Sequence, residues 1–296
     1  MRGFFIAVVA AAVATFGVSQ GAFAADSHPT LVKAAAPATG SPGWTGFYFG
    51  LTLGYGWGDR TITATGNDPI STGVLTGTIG QPGEQPVGPV SFRDKGAFGG
   101  IEAGYNWQIG RNYVAGIEAD FNGSDIRGQG ATTSVLSTLN PTLQQLSANQ
   151  QILWFGTVRP RLGWLATDNL LLYGTGGVAY GRVHDTVNFG LNGVFLGFFI
   201  PGGAGFVNCA GFANCIYGQS DRVAVGWTAG AGAELQLPGG NARVKVEYLF
   251  VDLGSGGAVT ATALATAAVS TKLSSFSAAF SRTDFSTVRV GLNWAF

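Results

Sequence analysis

The chain has 296 residues and no formal net charge, and charged residues make up only 11% of it, against roughly 25% in an ordinary soluble domain. The balance gives no electrostatic case for nucleic acid or an acidic partner, and so little charge does not clothe a soluble surface. Disorder is excluded by 46% hydrophobic and 12% aromatic residues, which bury too much surface for it, while 48 glycines are more than double the usual share of about 7% and suit a sheet that faces lipid.

Residues 1–24 read as a secretory signal peptide. Arg2 supplies the positive start, Phe4 to Ala14 is an apolar run, and Ala22-Phe23-Ala24 is a small-x-small cleavage site, with cleavage expected after Ala24. The run is too short to span a bilayer as a helix, and no later stretch of about 18 apolar residues follows. The chain is therefore expected to be exported and not held by a membrane helix. No cysteine lies near the cleavage site, so a lipid anchor is not expected. Residues 25–43 are rich in Ala and Pro without periodicity and read as a flexible periplasmic linker. The domain proper is expected over 44–296.

From Trp44 the pattern becomes strict alternation, the signature of a strand with unlike faces. Phe47, Phe49, Leu51, Leu53, Tyr55 and Trp57 share one face, opposite Tyr48, Gly50, Thr52, Gly54 and Gly56. The reading recurs near 97–108, 113–122, 152–164, 170–182, 223–237, 242–251 and 285–296, which predicts eight strands. The fifth is convincing, but its faces are less clean. The seven connections alternate long and short, with short ones at 109–112, 165–169 and 238–241 and long ones between the first two strands and near 123–150, 184–221 and 254–284. An even strand count with that alternation is the pattern of an outer-membrane barrel, long loops outside and both termini in the periplasm.

The apolar face must point outward. An eight-stranded barrel has only just enough interior room for side chains, and dozens of large residues turned inward do not fit it. Turned over, the large residues meet lipid, Gly and charge share the lumen, and closure pairs every backbone polar group. Trp44, Trp57, Trp107, Trp154, Trp164 and Trp294 lie near strand ends, where aromatic girdles form. The expected fold is thus all-β: an eight-stranded antiparallel transmembrane β-barrel with long extracellular loops.

Three stretches carry a resemblance: Trp44 to Trp57 (WTGFYFGLTLGYGW), Val244 to Gly254 (VKVEYLFVDLG) and the ending Val288 to Phe296 (VRVGLNWAF). Together they resemble the porin-family outer-membrane β-barrel proteins of alphaproteobacteria, which are similar in fold to the OmpA transmembrane domain and the opacity-type surface proteins. The resemblance covers the strands from Trp44 to Phe296. It implies an outer-membrane location and insertion by the general barrel-assembly machinery, which reads a terminal aromatic such as Phe296. The loops look longer and richer in Ala, Gly and Thr than that family leads one to expect.

Strand phase sends Glu102, Glu118, Asp120, Glu234 and Glu247 inward, together with Arg159, Arg161, Arg243, Lys245 and Arg289. An unpaired buried charge is costly, so these ten are expected to pair across the lumen, with Glu118 or Glu102 against Arg159 or Arg161. The bland reading is a plug of ion pairs, and the sharper one is a gated ion path. Cys209 and Cys215, the only cysteines, sit in the third long loop and are expected to form a local disulfide after export. Two cysteines and nearby Asn do not make a zinc site. His184-Asp185 would interest a hydrolase, yet the only other histidine is His28 in the linker, so a solvated loop histidine is the better reading. Gly174-x-Gly176-x-x-Ala179 superficially matches a dinucleotide fingerprint, but alternation runs through it where a helix should open. The apolar stretch Leu191 to Ile200 extends the strands, dips into the outer leaflet or contacts a partner.

No catalytic, metal or cofactor site is expected. The partners expected are outer-membrane lipid and, during biogenesis, the barrel-assembly machinery. The first functional reading is a structural or surface barrel that supports envelope integrity and contact with other surfaces. The alternative is a narrow channel for ions or small solutes, and an outer-membrane enzyme is disfavoured by the want of a second usable histidine.

Overall fold

The computed structural model describes residues 43–138 apart from 79 and 81, then 142–192, 194–200, 203–208, 216–263 and 275–296; of 194–208 it describes the backbone alone. The predicted signal peptide, nearly all of the linker, and the Cys209 and Cys215 pair lie outside these residues.

Eight strands close into a ring. They are β1 (Gly46–Gly66), β2 (Val90–Ile109), β3 (Tyr113–Ser137), β4 (Thr142–Thr167), β5 (Leu170–Leu191), β8 (Ile216–Gln236), β9 (Ala242–Asp252) and β12 (Asp284–Ala295). Each pairs antiparallel with its sequence neighbour in the ring, and β1 pairs with both β2 and β12. The short turns need little. Between β8 and β9, Leu237 and Ala242 share a backbone hydrogen bond of 2.8 Å, and Gly239 and Gly240 take φ of 99° and 81°, which side chains resist.

The strands run well past the alternation counted as membrane wall. β3 and β4 have 25 and 26 residues, on the order of 80 Å of extended chain, whereas a tilted bilayer crossing takes roughly 9–11 residues. Most of the supposed loop near 123–150 is therefore wall, paired out to Ser137 and Thr142. β9 and β12 stop at Asp252 and Asp284. Above them β10 (Ala258–Ala263) and β11 (Ser275–Phe280) take their places, β11 against β1 and β10 against β8. The ring thus keeps eight strands at its outer end. The apolar Leu191 to Ile200 stretch divides: Leu191 ends β5, and β6 (Val194–Ile200) pairs with β7 (Gly203–Asn208) in a separate two-stranded sheet.

The outward face is apolar over a defined height. Phe47, Leu53, Leu162 and Val225 are 64–73% exposed, which is stable only against lipid. Moving away from the periplasmic turns, the first charged outward residues are Asp59 on β1, Lys95 on β2, Asp125 on β3, Arg182 on β5 and Asp221 on β8. They mark the outer edge of the apolar band. Trp57, Trp107, Trp154, Trp164 and Trp294 face outward on this band. Trp44 does not: it is 2% exposed inside the periplasmic mouth. Its indole donates to the Asp168 carbonyl at 3.1 Å and its ring lies 4.5 Å from the Arg243 guanidinium. The girdle reading fails for this residue, which shares the parity of the inward-facing Tyr48 and Thr52.

The lumen is layered, and this corrects the expectation of Gly and charge alone. Along the inner face of β2 the order from outside to periplasm is Val90, Asp94, Phe98, Glu102, Asn106, all buried. Apolar and polar layers alternate in the same order on the neighbouring strands. The outermost apolar layer contains Ile62, Leu136, Leu146, Phe189, Phe276 and Phe280. A helix, α1 (Pro69–Thr76), lays Val74 and Leu75 onto it. Pro69 at the first helical position suits the start, and Asp68 accepts the Ser71 N–H at 2.9 Å as an N-cap. The second apolar layer packs Phe98, Phe155 and Phe285 edge to face at 5.1 and 5.3 Å.

Candidate functional site

The candidate site is the charged layer below the second apolar one. It is supplied by alternate residues of adjacent strands: Glu102 on β2, Glu118 and Asp120 on β3, Arg159 and Arg161 on β4, Glu234 on β8, Arg243, Lys245 and Glu247 on β9, and Arg289 on β12. All ten side chains are buried in the lumen. Register places Glu118 beside Arg159, Glu234 beside Lys245 and Glu247 beside Arg289. It also places Glu102 beside Asp120, a like-charged neighbour pair that is unfavourable alone. Cations reaching across the lumen resolve it: Lys245 Nζ donates to Glu102 Oε2 at 2.6 Å and Arg289 Nη1 to Asp120 Oδ2 at 3.0 Å.

Glu118 is the hub. It accepts from Arg159 Nη2 at 2.5 Å, Lys245 Nζ at 3.0 Å, Arg289 Nη2 at 3.2 Å, Arg161 Nη1 at 3.3 Å and the Tyr48 hydroxyl at 2.7 Å. Arg289 also donates to Glu247 through Nε at 2.6 Å, and Arg159 Nη1 reaches the same carboxylate at 3.2 Å. Arg161 Nη1 lies 2.9 Å from Glu234 Oε2, and Arg243 Nη1 lies 4.0 Å from Glu234 Oε1. Neutral groups also donate to Glu247 and Asp120. Tyr173 donates to Glu247 at 2.9 Å, Asn122 to Asp120 at 2.8 Å and Thr157 to Asp120 at 2.6 Å. The Arg161 guanidinium lies 4.9 and 5.0 Å from the Tyr48 and Tyr173 rings. Gly104 and Gly232 make room for these tyrosines: a Cβ there would stand 2.4 and 2.6 Å from their hydroxyl oxygens. Five acids and five bases cancel. The layer is therefore a neutral, cross-linked salt, not a field of one sign that would draw an ion through.

A second polar layer lies above the apolar band and was missed from sequence. Arg60 Nε lies 2.9 Å from Asp94 Oδ2 and donates to Gln150 Oε1 at 2.5 Å. Gln150 in turn donates to Asp185 at 2.7 Å, and Arg222 Nε lies 3.5 Å from Asp185. Asp94 meets Arg60 as a close ion pair without an aligned hydrogen bond among the described residues. Burial pushes its carboxyl up to about 7; Arg60 opposes the rise and the Asp185 charge adds to it. Burial likewise raises Asp185, against the pull of Gln150 and Arg222. The signal was present: Arg60 keeps the parity of Tyr48 on β1, and Asp94 keeps that of Glu102 on β2. Both were lost because the strands were ended too early.

His184 lies on the outer wall of β5, with Nδ1 3.2 Å from Asp221 Oδ2; it is a wall residue, not a loop one. Gly174, Gly176 and Ala179 all belong to strand β5. Phe296 ends the chain with its side chain 88% exposed and its N–H bonded to the Phe47 carbonyl at 2.9 Å.

Residues 8–296 match the model of the outer membrane protein beta-barrel domain family. The chain belongs to that family. Its relatives include the 31 kDa outer-membrane immunogenic protein of Brucella melitensis and the protein of the same description in Brucella suis. Each is 35% identical over 299 residues, with all of both chains covered. Among solved structures, outer membrane protein OprG from Pseudomonas aeruginosa aligns at 11% identity over 86% of this chain and 99% of that one, with a TM-score of 0.40, too slight a likeness to bear on function. Membership of the family, the closed eight-stranded ring and the lipid-facing band place the protein in the outer membrane.

Proposed function

We propose that this outer-membrane barrel is a closed structural and surface protein, not a solute channel. The observation that carries the reading is the ten-charge layer: it spans the lumen from β2 to β12, its members are buried, and their charges cancel. An ion entering must displace these pairs and leave buried charges without their partners, which is costly. Apolar layers above and Trp44 at the periplasmic mouth add to the seal. What remains for function is the outer wall and its long extension beyond the bilayer, a rigid platform that supports envelope integrity and contact at the cell surface. Export with cleavage after Ala24, and assembly through the machinery that reads Phe296, belong to the same reading.

Single-channel recording of the refolded protein in a planar bilayer tests it, with folding checked by heat-modifiable gel mobility. A silent bilayer is expected. A steady conductance that changes on Glu118→Ala or Arg159→Ala would overturn the proposal in favour of the narrow channel.

A further inference from the structure

The outer wall over β2 to β5 and β8 presents three chemistries in succession, moving outward from the periplasm. The first is the apolar band, here Ile101, Phe121, Val158, Leu162 and Val178, all more than a third exposed. The second is a cationic edge. Lys95 and Arg127 are direct cross-strand partners on the outer face, and like charges so placed repel. Arg93 stands two residues above Lys95 on the same face. Arg93 pairs with Asp59 at 2.8 Å and Arg127 with Asp125 at 3.5 Å, both pairs exposed and so weakly held. No ion pair is formed by Lys95 among the described residues. On β5 Arg182 and His184 share the single carboxylate of Asp221, at 3.4 and 3.2 Å. The edge therefore carries more positive charge than it neutralises, in a molecule with no net charge.

The third is a groove of about 370 Å³, in which the polar side chains of Gln129, Ser147, Asn149, Thr186, Asn188 and Tyr217 stand among small and apolar residues. The size is that of a small-ligand site. Its lining begins two residues beyond Arg127 on β3 and beyond His184 on β5, roughly 7 Å further out along each strand. The Asn188 side-chain oxygen there is buried without a hydrogen-bond partner, a state that calls for a donor. Small residues, Gly130 and Ala131, floor the groove.

The apolar wall, with the cationic edge and the groove beyond it, matches the acyl chains and the phosphorylated sugar headgroup of one amphiphile. We propose that this face binds a phosphorylated glycolipid of the outer leaflet. Its phosphate sits between Lys95 and Arg127, and its sugar hydroxyls lie in the groove with one donating to Asn188. The phosphate supplies the counter-charge that the Lys95 and Arg127 pair lacks, through charge-assisted hydrogen bonds.

The test is binding to the folded protein in detergent, followed by native mass spectrometry, with four probes: a diphosphorylated acylated glucosamine disaccharide, its dephosphorylated form, phosphatidylglycerol and inorganic phosphate. The diphosphorylated glycolipid is expected to bind best. Joint Lys95→Gln and Arg127→Gln substitution should weaken it roughly tenfold. Asn188→Ala with Tyr217→Ala should weaken the glycolipid while leaving phosphatidylglycerol unchanged. All four side chains lie on the outer face, and retained heat-modifiable mobility confirms that the variants fold. Equal binding of the dephosphorylated form, equal binding of phosphatidylglycerol, or indifference to either pair of substitutions would each overturn the proposal. Binding of inorganic phosphate alone as tightly as the glycolipid would reduce the site to a simple anion site and overturn it as well.

Discussion

At the scale of single residues, Glu118 bears the heaviest load, with four cations and a tyrosine hydroxyl converging on one carboxylate. Neutralising it leaves those cations facing one another in the lumen. Breaking a buried ionic arrangement from one side costs roughly 3–5 kcal/mol, so Glu118→Gln should lower the midpoint of heat- or urea-induced mobility change by about that free energy. Glu118→Asp should recover part of the loss, because the charge stays while the reach shortens. Asp94 makes a pH prediction. Its proton is held more tightly in the fold, at about 7, than at the ordinary value of 3.8, so its stabilisation is complete below that ordinary value and is lost as pH rises through 7. The neighbouring groups are Arg60 and Asp59 on β1, Gln150 on β4, Asp185 on β5 and Arg222 on β8. Asp185 is raised as well, which gives the same sign. Amide protection in the outer halves of β2 and β4, with exchange measured against the intrinsic rate at each pH, should fall as pH rises from about 4 to about 7. Asp94→Asn should flatten the response.

At the scale of elements, the outer end of the barrel depends on pieces that are not membrane strands. The β10 and β11 hairpin completes the ring where β9 and β12 leave it, and buries Val259, Ala261, Phe276 and Ala278 in the outermost layer. Ala278 is fully buried. Ala278→Arg forces a charge into an apolar layer without a partner and should open this end to protease, while the membrane-embedded ring keeps its heat-modifiable mobility. Sequence inspection placed the membrane-level parts of β1 and β2 and the short turns well, because the alternation there is clean, but it ended both strands too early at their outer ends. It placed the outer halves of β3, β4 and β5 in loops. There Thr, Ser, Gln and Ala replace large outward residues once the wall leaves the lipid, so the contrast between faces fades although the backbone pairing continues. Register shifts at Gly123–Ile126 and Ile152–Trp154 also break the simple parity, though both lie outside the 170–182 stretch whose faces read less cleanly.

At the scale of the whole molecule, two solvents shape one sheet. The outward band must suit lipid and the interior must suit neither lipid nor bulk water. Leu53, 73% exposed in the middle of the β1 band, tests the lipid side. Leu53→Arg should cost roughly 2–4 kcal/mol near the midplane, read as a lower folding yield into vesicles, whereas Thr61→Arg, beyond the band on the same strand face, should be nearly neutral. By itself the sequence determined the strand parity, the count of membrane strands and the outward direction of the large apolar residues. Each of these follows from a local period of two and the small volume inside eight strands. Membership of a charge in the lumen was also local, since parity alone sends Glu102 or Arg289 inward. Only the tertiary structure decided which acid meets which base, that Trp44 closes the periplasmic mouth, and that apolar layers separate two polar ones. Those outcomes depend on ring closure and on the stagger between strands far apart in the chain, where contacts across a lumen replace contacts along a strand.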